Sequence, residues 1–107
     1  SRMRFIEKAA KLNVDVVCMD LEDGVALDAK ADARANIKEA LGTLDFGRSD
    51  VAVRVNSPSL DEAASSEDII DIFSASVLPD TLCVPKIDTV EQLEWVFDTA
   101  ASALAAR

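Results

Sequence analysis

Histidine is absent from this chain of 107 residues, and cysteine occurs only twice, at Cys18 and Cys83, with no CxxC spacing. The side chains that build a structural or catalytic zinc site are therefore missing. Each cysteine falls inside an apolar, strand-like run, so both are expected to be buried, reduced thiols of an intracellular protein. Bases are also scarce: eleven against twenty acids give a formal charge of -9. That balance excludes a sequence-independent grip on nucleic acid phosphates or anionic lipid. An anionic ligand must instead be held by a few local bases. No run of eighteen apolar residues occurs and residues 1–12 carry charge throughout, so neither a membrane span nor a signal peptide is expected. No linker-like or low-complexity tract divides the chain, which reads as one piece.

Half of the residues are apolar and 29% are charged, a globular composition. The length suffices for one domain with a core but is less than half of the roughly 250 residues of a (β/α)8 barrel. Residues 2–12 place Phe5, Ala9 and Leu12 at helical spacing between charges, and a valine-rich strand is predicted from Val14 to Met19. After Asp28, "AKADARANIKEAL" sets Ala33, Ile37, Ala40, Leu41 and Leu44 on one helical face, with Gly42 or Gly47 marking the exit. A second strand is predicted over Val51 to Ser57, and a short helix over about Glu67 to Phe73. "TLCVPK", Thr81 to Lys86, is a third strand. Thr89 caps a last helix with Val90, Leu93, Val96, Phe97, Ala100 and Leu104 along one stripe. Met3, Met19, Trp95 and the phenylalanines read as packing residues.

A helix followed by three strand–helix units implies an α/β fold with right-handed crossovers and parallel strands. Each strand ends in polar chemistry: Asp20, Glu22 and Asp23 after the first, Arg54, Asn56 and Ser57 after the second, Lys86 and Asp88 after the third. In parallel α/β proteins these carboxyl ends converge on one face, where ligands bind. Three acids so close together require a cation or hydrogen-bond donors, either a divalent metal such as magnesium or an arginine. Equally, they can be solvated, with Asp23-Gly24 forming a turn. Arg54, inside the alternating "VAVRVN", suits bidentate capture of a carboxylate or 2-oxo acid, or an internal salt bridge to Asp20, Glu22 or Asp23. Alternation puts Asn56 on the same side as Arg54. Arg4 and Lys8, spaced i, i+4, form a small basic edge that can also be simply solvated.

The segments "LNVDVVCMDLEDGVALDAKADARANIKEAL", "VAVRVNSPS" and "LCVPKIDTVEQL" resemble, in order and separation, the citrate lyase beta-subunit-like group of the HpcH/HpaI aldolase family, which includes malyl-CoA and citramalyl-CoA lyases. The resemblance implies part of a TIM barrel: the first helix and the second to fourth strand–helix units. It implies a magnesium-dependent carbon–carbon lyase acting on a 3-hydroxy-acyl-CoA, commonly a homotrimer, in the cytoplasm or the mitochondrial matrix. Arg54 then matches the arginine that binds the oxo-acid or acyl portion, and Arg4 and Lys8 match bases that contact the CoA phosphates. Glu22 and Asp23 match an acidic pair expected to hold metal-bound water or orient Arg54. Neither ligates magnesium directly; those ligands are expected on later strands. Lys86 sits at a matching strand end and has no assigned role. Three units leave sheet edges uncovered, so residues 1–107 alone are expected to be inactive and to associate. The alternatives are a CoA-independent 2-oxo acid aldolase of the same fold and a non-catalytic scaffold subunit.

Overall fold

The computed structural model describes residues 3–22 and 29–107. In order these form α1 (Met3–Ala10), β1 (Val16–Asp20), α2 (Lys30–Thr43), β2 (Asp50–Arg54), α3 (Glu62–Ile72), β3 (Thr81–Cys83) and α4 (Val90–Ala105). The strands form one parallel sheet in the order β1-β2-β3. Val17 is level with Val51, Asp20 with Arg54, and Arg54 with Cys83.

Alternation along the strands divides the sheet into two unlike faces. Val17 and Met19 of the first strand with Leu21 just past it, and Val51 and Val53 of the second with Val55 just past it, join Ile6, Ala33, Ile37, Ile69, Ile72 and Val96 of the helices in a core. The opposite face carries Val16, Cys18, Asp20, Arg54, Thr81 and Cys83. Of these Val16, Thr81 and both cysteines are exposed, whereas Ala52, which shares this face between Cys18 and Thr81, is buried. The expectation of buried cysteines is thus corrected, because their strand positions point away from the helices. Cys18 nevertheless remains a thiol at neutral pH: partial burial, then the neighbouring Cys83 and Asp20, push its pKa up against the pull of Arg54.

Several boundaries differ from the sequence expectation. In α1 the buried positions are Ile6 and Ala10, whereas Phe5 and Leu12 are exposed. The helix stops before Leu12, and Phe5 lies under the Arg4 guanidinium, 5.0 Å from its ring centre. The predicted face of α2 is the observed one, with Ala33, Ile37, Ala40 and Leu41 buried. Asp28, after which the helix is expected from the sequence, and Gly24 lie outside the described residues. Gly47, at φ 59°, takes the left-handed turn beyond α2, whereas Gly42 stays within the helix. Helix α3 begins at Glu62, ahead of the expected start, because Asp61 caps it by accepting from the Ala64 N–H. Thr89 and Gln92 make a reciprocal capping box at the start of α4. On α4 only Val96 of the predicted stripe is buried, and Phe97 is 67% exposed.

An ionic seam joins α2 to α3. Arg34 meets Asp68 at 3.2 Å and Asp71 at 2.9 Å, and Lys38 meets the second Asp71 oxygen. Burial alone would raise the Asp71 pKa, but hydrogen bonds and charge from Lys38, then Arg34, outweigh it and hold the carboxyl below its ordinary value. The native state therefore binds fewer protons here than the unfolded chain, so the stabilisation is complete above the unfolded pKa of about 3.9 and is lost as pH falls through the lower folded value. Asp71→Asn is expected to lower the urea midpoint at pH 7, with the gap to wild type closing only below about pH 4. A gap that stays constant down to about pH 2 would count against this assignment.

Candidate functional site

The carboxyl ends of the three strands bring together Asp20, Glu22, Arg54 and Lys86. Register places Asp20 directly beside Arg54, and the guanidinium grips that carboxylate with two prongs: Nε donates to Oδ1 at 3.0 Å and Nη2 to Oδ2 at 2.5 Å. The same Asp20 Oδ1 accepts from the Glu22 backbone N–H at 2.8 Å, which turns the chain just past the strand. Glu22 then folds inward. Its side chain is 7% exposed, with Oε1 3.6 Å from Arg54 Nη1 and Oε2 3.6 Å from Lys86 Nζ. Oε2 is buried and accepts no hydrogen bond among the described residues.

Behind this group a second network fixes the strand ends. Asp68 of α3, with no exposed surface, accepts from the Asn56 backbone N–H at 2.8 Å, from Asn56 Nδ2 at 2.7 Å and from Arg34 at 3.2 Å. Asn56 Nδ2 also donates to the Leu21 carbonyl at 3.1 Å, and Lys30 Nζ donates to that carbonyl at 2.9 Å and to Asn56 Oδ1 at 3.2 Å. The residue that precedes Glu22 is thereby tied to the residue that follows Val55.

Arg54 meets Asp20 and Glu22, two of the three acids offered as its salt-bridge partners, and among the described residues Asp20 is the one that grips it with two prongs. Asn56 does not share the side of Arg54. Strand β2 ends at Arg54, so alternation no longer governs the next residues, and Asn56 turns to Asp68 and Lys30. Asp23 lies outside the described residues. Arg4 and Lys8 are exposed on α1. Among the described residues no ion pair joins Arg4 or Lys8 to the strand-end group.

The sequence reading missed Lys30 and Asp68. Asp68 had one available sign: it neighbours Ile69 and lies a helical turn from Ser65 and Ile72, all buried. A carboxylate on a buried helical stripe demands partners from other elements. Chemically, the strand-end group is a cation held edge-on by one carboxylate, with a second carboxylate poised between two cations. It can receive an anionic or carbonyl-bearing ligand. It does not fit as a direct magnesium set: both Asp20 oxygens are taken by Arg54, Glu22 faces Arg54 and Lys86, and no metal-holding cluster of three or more His, Cys, Asp or Glu occurs among the described residues. Nor is any described helix long and apolar enough to cross a membrane.

Comparison with known proteins bears on the family and the fold. The sequence model of the family HpcH/HpaI aldolase/citrate lyase matches residues 1–104. The chain is 37% identical over 102 residues to the mitochondrial citramalyl-CoA lyase of Homo sapiens, covering 95% of this chain and 29% of that enzyme. It is 43% identical over 88 residues to the L-malyl-CoA/beta-methylmalyl-CoA lyase of Cereibacter sphaeroides, covering 81% of this chain and 27% of that one. Among solved structures, the crystal structure of RipC from Yersinia pestis superposes with a TM-score of 0.63 at 30% identity, covering 88% of this chain and 39% of that chain. The chain thus spans less than a third of either lyase.

Proposed function

Because the chain belongs to the HpcH/HpaI aldolase/citrate lyase family, we propose that its whole protein cleaves or forms the carbon–carbon bond of a 3-hydroxy-acyl-CoA such as malyl-CoA or citramalyl-CoA. In the cleavage direction the substrate hydroxyl loses its proton, its oxygen becomes the carbonyl of a 2-oxo acid, and the bonding pair passes to the carbon next to the thioester. That enolate takes up a proton and leaves as an acyl-CoA. The observation that carries the reading is Arg54, a guanidinium pre-oriented at a strand end by the two-pronged contact to Asp20. Such a fork suits the carboxylate of the 2-oxo acid portion. Glu22 and, in this reading, Asp23 frame that arginine, while Arg4 and Lys8 meet the CoA phosphates.

The bare sheet face supports the further reading that these units form part of a TIM barrel, since in a closed barrel the face away from the helices lines the interior. Magnesium is proposed as the cofactor of the whole protein, which we also take to be a homotrimer, with direct ligands other than the described residues. The 107-residue chain alone is proposed to be inactive.

The test is to incubate the whole protein with malyl-CoA and citramalyl-CoA and assay glyoxylate or pyruvate together with acetyl-CoA. Cleavage of at least one substrate, abolished by EDTA and restored by magnesium, is expected. Release of free coenzyme A with no 2-oxo acid, or cleavage of neither substrate, would overturn the lyase reading. Activity indifferent to EDTA would overturn the metal proposal alone.

A further inference from the structure

Lys86 is held in a conformation that its residue type disfavours. Its φ is 54°, in the left-handed region that few non-glycine residues adopt, and it follows directly on Pro85. Ser57, 1% exposed, donates its hydroxyl to the Lys86 carbonyl at 3.3 Å and pins the turn from the second strand end. Strain of this kind persists only where the surroundings fix it, and it is commonest at functional sites. Here it delivers the ammonium to Glu22 Oε2, the buried oxygen that has no hydrogen-bond donor among the described residues, at 3.6 Å. The other Glu22 oxygen is 3.6 Å from Arg54 Nη1. Glu22 therefore stands balanced between two cations, bonded tightly to neither.

We propose that Lys86 is a positioning residue for the strand-end site: by drawing on Oε2 it keeps the Glu22 carboxylate from closing onto Arg54, so that the guanidinium stays oriented for a substrate carboxylate. Without the ammonium, Arg54 is the cation left within reach of Glu22 among the described residues. Glu22 Oε1 moves the short distance to hydrogen-bond Nη1, and substrate must then compete with Glu22 in addition to Asp20, which already holds Nε and Nη2. This rests on the assignment of Arg54 as the substrate-binding arginine. The lysine side chain is 55% exposed, so its loss removes little packing.

The experiment compares wild type, Lys86→Met, Lys86→Arg and Lys86→Gly in the whole protein, by crystallography and by kinetics. In Lys86→Met, Glu22 Oε1 is expected within hydrogen-bond distance of Arg54 Nη1, and KM for the 2-oxo acid in the condensation direction rises about 10-fold with kcat little changed. Lys86→Arg restores most of the lost affinity. Lys86→Gly relieves the backbone strain, so its thermal midpoint equals or exceeds wild type while its KM defect matches Lys86→Met. In a Glu22→Gln background, Lys86→Met changes KM by less than about 2-fold, because the competing charge is gone. A Glu22 that stays 3.6 Å from Arg54 in the Lys86→Met crystal structure overturns the proposal. So does a KM defect of equal size with Gln at position 22. If the wild type cleaves neither acyl-CoA, the lyase reading falls, and the crystallographic comparison still decides the role of Lys86.

Discussion

Asp68→Ala is expected to destabilise the chain by about 3–5 kcal/mol, the range for removing one partner of a buried ion pair. The carboxylate has no exposed surface, and it is the acceptor for the Asn56 backbone N–H, for Asn56 Nδ2 and for Arg34. Alanine leaves all three donors short of an acceptor in a space too enclosed for bulk water. Arg34 keeps Asp71, so it retains part of its pairing; the Asn56 backbone N–H has no such reserve in the observed network. Against a typical total of roughly 5–15 kcal/mol for a domain, a loss of this size removes much of the folding free energy. Asp68→Asn keeps the shape and one carbonyl acceptor, so it is expected to cost less than alanine. Urea titrations of both variants check the order. A loss below about 1 kcal/mol for alanine would show that water or Asp71 replaces the carboxylate, and the network would then not be what fixes the strand ends.

Why the sequence revealed Arg54 and not Asp68 follows from the range of the forces involved. Alternation along "VAVRVN" is a local pattern, and an arginine interrupting it is visible without knowing any partner. The order of the seven elements and the buried face of α2 are legible for the same reason, since each follows from spacing within a single segment. Asp68 takes its meaning from Arg34 and Asn56, on α2 and at the end of β2, which come together only after the crossovers have formed. In the sequence it is one more acid in an acidic helix. The cysteines show the opposite failure. An apolar strand residue was assigned to the core, but a strand has two faces, and the choice between them is set by which side receives helices. The same holds for α4: its stripe of Val90, Leu93 and Phe97 has helical periodicity, yet periodicity does not specify that a neighbour lies against it.

Arg54→Ala is expected to lower kcat/KM of the whole protein by on the order of 100-fold, corresponding to about 2.7 kcal/mol of lost transition-state stabilisation. Truncating one member of a hydrogen-bonded charge pair typically costs about 2–5 kcal/mol, part of it the penalty for the charge left behind. Among the described residues Asp20 and Glu22 are left as charges, so activity alone does not separate a lost substrate contact from a disturbed strand end. Arg54→Lys separates them. Lysine keeps the positive charge beside both acids but has no planar fork, so it preserves most of the stability while failing to reproduce paired contacts to a substrate carboxylate. If Arg54 binds the 2-oxo acid portion, both variants lose that substrate, with KM for glyoxylate or pyruvate rising in the condensation direction. Affinity for acetyl-CoA, measured by calorimetry in the absence of the oxo acid, stays within about 2-fold, because the proposed CoA contacts lie on α1. A lysine variant as active as wild type would reduce Arg54 to a counter-ion for Asp20. Equal loss of acetyl-CoA binding in both variants would show that the strand end shapes the whole pocket, not one contact within it.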